Sequence, residues 1–224
     1  MRREKILTFG CVRNDYKSKL FPDELIQMIS LWFRLCDKID TKSKSKSVTV
    51  TQTRNYQYIS YTSSDVLSLS GTVYGTDIIK KGQIKTWEFK LTKVMKKVPL
   101  IMIGIVLSSK ASFNNEYRFF FDGYGLYTRN GYLYSKIEHP DKNKKYLLSK
   151  FKETDKLIMK LDLTLKKELG STKCGTLTYF LNDGLHSFYC DDNMIAYNNI
   201  DINESYKLGI CVCNTRDEIA LRIH

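Results

Sequence analysis

Asp155-Lys-Leu-Ile-Met-Lys-Leu-Asp162-Leu163 and Gly175-Thr-Leu-Thr-Tyr-Phe-Leu-Asn182-Asp183-Gly184 decide the fold class. In the first stretch Leu157, Met159, Leu161 and Leu163 alternate with Lys156, Ile158, Lys160 and Asp162. A period of two is the mark of a strand with one buried face. The second stretch sets Leu177, Tyr179 and Leu181 against Thr176, Thr178 and Phe180. It runs into Asn182-Asp183-Gly184, residue types that tolerate positive φ and close tight turns. Two antiparallel strands are therefore expected, joined by a polar loop from Thr164 to Cys174.

The same pattern continues outward. From Val48 the chain reads as β nearly throughout: Val48 to Thr51, Tyr56 to Tyr61, Val66 to Leu69, Thr86 to Leu91, Leu100 to Val106 and Tyr117 to Phe121. Gly125 to Thr128, Tyr132 to Tyr134, Tyr206 to Cys213 and Glu218 to Ile223 complete it. Gly71, Gly75 and Gly82, Asp122-Gly123 and Asn130-Gly131 read as turns between them. Leu100 to Val106 is apolar on both faces, as a central strand is. Short strands at this spacing predict an all-β sandwich or barrel.

The first part of the chain differs. Pro22, Asp23 and Glu24 suit a helix start, by fixed φ and by charge at the positive end of the helix dipole. Leu25, Ile26, Met28, Ile29, Trp32, Phe33 and Cys36 then recur at intervals of three and four, a wide apolar face. Such a helix docks on the following domain or on a partner. Thr41-Lys-Ser-Lys-Ser-Lys-Ser47 carries no apolar residue and reads as a solvated tether. The expected organisation is a helical segment over 1–37, a linker over 38–47 and a β domain over 48–224.

The 224 residues are 42% hydrophobic, enough for a sizeable core, and carry a net charge of +12. That charge attracts acidic partners without specifying a fold. No apolar run approaches the roughly 18 residues of a spanning helix, and no secretory leader is visible after Met1-Arg-Arg-Glu. Cys11, Cys36, Cys174, Cys190, Cys211 and Cys213 are accordingly expected as free thiols in a cytoplasmic protein.

Gly82 followed by Trp87-Glu-Phe, Ile101-Met-Ile-Gly104-Ile, Gly123-Tyr-Gly-Leu-Tyr127 with Asn130-Gly131-Tyr-Leu-Tyr134, then Asp155 to Asp162 and Gly175 to Gly184, stand in one order. Together with Tyr206 to Cys213 and Glu218 to Ile223 this set resembles the SPRY-domain family over roughly residues 68–224. Two departures stand out. Thr154 replaces the Gly before Asp155, tolerable if that turn needs no positive φ, and Asp183 lengthens the hairpin before Gly184. The resemblance implies a bent sandwich of two antiparallel sheets. It also implies a non-catalytic module that binds a protein or peptide partner through edge loops, and so a possible adaptor. By position the matching segments are Ser108-Ser109-Lys110, Tyr124-Gly125-Leu-Tyr127 and Cys213-Asn214-Thr215-Arg216. Tyr124, Tyr127 and Arg216 are the expected anchors, because Tyr and Arg most often anchor interfaces.

Other chemistries find less support. Cys211 and Cys213 point to one side of a strand, but a structural zinc site needs four ligands and no second Cys pair supplies them. Asp155 and Asp162 stand about 23 Å apart along a strand, too far to act on one substrate. There is no nucleophile, zinc-protease or P-loop motif. No enzyme activity, cofactor or metal is expected. The alternative is a basic β domain that binds nucleic acid or another acidic surface. Lys93, Lys96 and Lys97, with Lys142, Lys144 and Lys145, would supply its charge, and the abundant aromatics its stacking.

Overall fold

A computed structural model describes residues 37–62, 70–93, 101–111, 122–137, 153–164, 174–181, 195–213 and 217–223. The expected N-terminal helix lies outside these residues, as do the strands expected at 66–69 and 117–121 and the turn at 182–184. The described residues form thirteen strands. They are β1 Ile39–Lys44, β2 Val48–Gln52, β3 Tyr56–Tyr61, β4 Gly71–Gly75, β5 Ile84–Lys93, β6 Ile101–Leu107 and β7 Gly123–Tyr127. The rest are β8 Tyr132–Ser135, β9 Lys156–Asp162, β10 Cys174–Leu181, β11 Tyr197–Asp201, β12 Tyr206–Val212 and β13 Glu218–Arg222.

They make two antiparallel sheets. One has six strands in the order β1-β4-β12-β6-β7-β8, the other seven in the order β11-β10-β9-β5-β13-β3-β2. The expected two-sheet β-sandwich is the observed architecture. The decisive pair, β9 and β10, is antiparallel and matches Leu161 with Leu177, Met159 with Tyr179 and Leu157 with Leu181. All six side chains are buried. They join Trp87, Phe89, Leu91, Ile219 and Leu221 of the same sheet against Val73, Ile103, Ile105, Leu126, Leu208 and Ile210 of the other.

Polar groups in the core are placed rather than excluded. Tyr179 donates its hydroxyl to the Ile103 carbonyl at 3.0 Å, and Tyr197 donates to the Gly125 carbonyl at 3.0 Å. Both bonds run from the seven-stranded sheet to the six-stranded one. Buried hydroxyls that find a carbonyl avoid the desolvation cost of an unpaired donor.

The stretch expected as a tether is an edge strand. Ile39 pairs with Gly75, Lys44 with Val73, and the buried Ser45 hydroxyl accepts from the Thr72 amide at 3.0 Å. Strand pairing is made by backbone groups, so an edge strand whose side chains mostly meet water needs few apolar residues. Ile39 is 2% exposed and anchors it. Just ahead of it, the Asp37 carboxylate accepts from Trp87 Nε1 at 2.7 Å and from the Asp77 amide at 3.1 Å. Burial holds the Asp37 pKa above the usual carboxylate value, partly offset by the Trp87 bond.

Gly71 and Gly75, expected in turns, bound β4 instead. A Cβ on Gly71 would meet Val48 Cγ2 at 2.2 Å, and one on Gly75 the Asp37 carboxylate at 2.7 Å. Close packing requires these glycines, not chain reversal.

Thr154 is the one non-glycine residue at positive φ among the described residues, at 77°. The turn therefore does need a left-handed residue. Its amide is held by the Leu91 carbonyl at 2.9 Å, and the Leu91 amide by the Asp155 carbonyl at 3.1 Å, so the turn cannot relax away from β5. A β-branched residue there costs about 1–2 kcal/mol. Thr154→Gly relieves that strain while adding about 0.5–1 kcal/mol of unfolded-chain entropy. The expected result in urea unfolding is a small net gain, up to about 1 kcal/mol. A clear loss of stability would contradict the assigned backbone.

Candidate functional site

The three expected binding segments do not come together. β6 pairs with β12 so that Leu107 meets Tyr206 and Ile101 meets Val212. Ser108, Ser109 and Lys110 form the turn after Leu107, where the Ser108 amide bonds the Ser205 carbonyl at 2.8 Å. Tyr127 faces Met102 at the other end of β6. Cys213 follows Val212 at that same end. The Ser108–Lys110 turn is therefore about 20 Å, the length of β6, from Tyr127 and Cys213. Asn214, Thr215 and Arg216 lie outside the described residues.

Tyr124 also departs from expectation. It is 1% exposed and points into the core, where its ring packs edge-on to Tyr197 at 5.1 Å and to Tyr206 at 6.3 Å. A partner cannot reach this ring in the folded sandwich. Gly125 and Tyr127 point to the opposite side. Alternation explains the division: Tyr124 and Leu126 belong to the core, Gly125 and Tyr127 to the outer face of the six-stranded sheet.

That outer face carries a second apolar cluster of Tyr74, Met102, Val106 and Cys211, with Tyr127, Tyr134 and Cys213 packed against it. At its β7–β8 end the surface opens. Tyr127 and Tyr134 are half-buried and meet edge-to-face at 6.0 Å and 78°. Tyr132 stands directly opposite Tyr127.

The hairpin that sets this register is tightly tied. The Gly131 amide bonds the Tyr127 carbonyl at 2.9 Å, with Gly131 at φ 72°, and the Tyr132 amide bonds Asn130 Oδ1 at 3.0 Å. Thr128 donates its hydroxyl to the Ile101 carbonyl at 2.8 Å. Arg129 projects from the turn into solvent. Tyr127, Tyr132, Tyr134 and Arg129 thus belong to one hydrogen-bonded hairpin, at the same end of β6 as Cys213. Tyr132, Tyr134 and Arg129 were not among the expected contacts. Their signal was the Asn130-Gly131 turn, which fixes which tyrosines share a face.

Cys211 and Cys213 do share a face, with sulfurs 3.7 Å apart, and both are free thiols, as is Cys174. Among the described residues no three His, Cys, Asp or Glu side chains converge in a way that could hold a metal ion.

The arrangement of the sheets has close counterparts among solved structures. The SPRY domain of human HERC1 aligns with a TM-score of 0.56 at 17% identity, covering 83% of this chain and 97% of that one. The fold is that of a SPRY domain. The PSpry domain of TRIM65 aligns at 0.51 with 13% identity over 87% of this chain and 97% of its own. A human SPRY domain gives 0.50 at 14% identity, covering 80% and 96%. No family model and no curated protein matches the sequence. The SPRY fold accounts for the order of motifs from Gly82 to Ile223. Among the described residues no helix is long and apolar enough to cross a membrane.

The burial contrast predicts separable effects. Tyr124→Ala removes a buried aromatic and should cost about 3–5 kcal/mol in urea unfolding, as large-to-small core changes do. Tyr127→Ala should cost about 1 kcal/mol or less, as changes at partly exposed positions do. Equal losses would contradict the assignment of the two rings to opposite faces.

Proposed function

We propose that this chain is a non-catalytic protein-interaction module that takes a protein or peptide partner at the β7–β8 end of its six-stranded sheet. The observation that carries this reading is the half-buried Tyr127–Tyr134 pair, held on a hydrogen-bonded hairpin whose turn exposes Arg129. Rigid aromatic rings lose little conformational entropy on binding, and an adjacent Arg supplies a directed charge. Resemblance to SPRY domains supports loop-edge binding without catalysis. The same reading has the chain act as an adaptor in the cytoplasm. Cys213 stands at this end of the sheet, and the proposed surface includes Asn214, Thr215 and Arg216, which follow it in sequence. Ser108 to Lys110 belong to a different one.

Affinity capture from cell lysate at moderate and high salt tests this. The intact protein is compared with Tyr127→Ala/Tyr134→Ala and with Ser109→Ala/Lys110→Ala. A discrete protein should survive high salt, fall about tenfold or more with the tyrosine variant and persist with the other. Recovery of nucleic acid that washes off with salt and ignores the tyrosines would replace this reading with a charge-driven one.

A further inference from the structure

On the outer face of the six-stranded sheet, register lines up one row of side chains. Thr72 stands beside Cys211, Cys211 beside Met102 and Met102 beside Tyr127. Cys213, two residues beyond Cys211, brings its sulfur to 3.7 Å from that of Cys211. The neighbouring row runs from Tyr74 through Gly209, Gly104 and Gly125 to Tyr134, so its three central strands set no side chain against these sulfurs. Cys211 is 0% exposed and Met102 6%, while Cys213 is half-buried.

The sulfur spacing fits a shared ion better than a disulfide. A disulfide needs about 2.0 Å between sulfurs, and residues two apart on a strand, with about 6.6 Å between Cα atoms, stand near the far limit of its geometry. Two thiolates held at about 2.3 Å from one ion stand about 3.7–4.0 Å apart at tetrahedral to trigonal angles. Thiols, imidazoles and carboxylates alone leave the pair short of a third ligand. Met102 supplies one. Residues directly opposite across two strands have Cβ atoms about 4.5–5.5 Å apart, a gap that the flexible Met side chain spans.

Two orphaned hydroxyls point the same way. Among the described residues, the buried side-chain oxygens without a hydrogen-bond partner are Thr72 Oγ1 and Tyr74 Oη. Both stand on this face, since Tyr74 clusters with Cys211 and Met102, and Thr72 is opposite Cys211. A buried hydroxyl without an acceptor is costly, and a neutral thiol is a weak acceptor. A metal-bound thiolate is a strong one. The orphaned donors therefore suit the charged, metal-loaded form of the pair.

We infer that Cys211, Cys213 and Met102 form a Cu(I) site on the outer face of the six-stranded sheet, with Thr72 donating its hydroxyl to the Cys211 thiolate. Donor chemistry selects the ion. Soft thiolate and thioether sulfurs favour Cu(I), whereas zinc fills a four-coordinate shell from thiolate, imidazole and carboxylate groups. The half-buried Cys213 meets the ion first, and Cys211 and Met102 take it out of water. Each ion bound displaces both thiol protons. The site adjoins Tyr127 but does not rest on the partner reading above.

Cu(I) titration of the reduced full chain, without oxygen and against a colorimetric Cu(I) chelator, tests this. Cys11→Ser, Cys36→Ser, Cys174→Ser and Cys190→Ser together leave Cys211 and Cys213 as the only thiols. One Cu(I) per chain should bind. Met102→Leu, a volume-conserving change, should weaken binding about tenfold or more, the loss that even an outer partner of a metal ligand causes. Absence of binding, or affinity unchanged by Met102→Leu, would overturn the inference. X-ray absorption at the copper edge gives a second reading that needs no Ser replacement, on the unmodified chain loaded with one equivalent. Three sulfur neighbours are expected, with one fewer after Met102→Leu. Nitrogen or oxygen neighbours in the unmodified chain, or a sulfur count that ignores Met102, would overturn it.

Discussion

The close approach of β6 to its neighbours constrains everything built on the six-stranded sheet. A Cβ on Gly104 would sit 1.8 Å from the Tyr124 carbonyl oxygen and 2.8 Å from the Gly125 Cα. No side chain fits there. Gly123, facing Val106, is under the same pressure, with a Cβ 2.1 Å from the Ile105 carbonyl. The tight β6–β7 contact turns Ile103, Ile105, Tyr124 and Leu126 into the core. On the other side it leaves a bare strip between Tyr74 and Tyr134. Core and outer face are thus two consequences of one packing requirement.

The placement of the tyrosines follows from the same alternation. A tyrosine that points inward needs a partner for its hydroxyl, and Tyr179, Tyr197 and Tyr206 each find a carbonyl. One that points outward at the open end of the sheet, such as Tyr127 or Tyr134, keeps part of its ring at the surface. Tyr124 and Tyr127 are three residues apart, an odd separation, so on one strand they fall on opposite faces. That parity, not residue type, separates the buried ring from the partly exposed one.

Where side-chain periodicity carried the fold, it was legible in the sequence. Leu157 to Leu163 and Leu177 to Leu181 show the alternation, and the apolar β6 shows a strand buried on both sides. Where backbone pairing or steric fit decided the outcome, residue types misled. β1 is held by ladder bonds, Ile39 and the Asp37 carboxylate, none of which stands out among Lys and Ser. Gly71 and Gly75 resemble turn residues because the pressure that demands them comes from Val48 and Asp37, distant in sequence. Thr154 departs from the family pattern at a position where the backbone still needs positive φ. The candidate site was half visible. Tyr127 and Cys213 fall together, but the sequence order of the segments hid the fact that Ser108 to Lys110 occupy the opposite end of β6.

Solvent footprinting of the full chain, free and bound to the partner captured through Tyr127 and Tyr134, tests the central claim about the site most directly. The account predicts new hydrogen-exchange protection over residues 127–134 and 213–217. It predicts none over 108–110 and 203–206. Protection confined to the Ser108 end of β6 would contradict it and place recognition on the other rim of the sandwich.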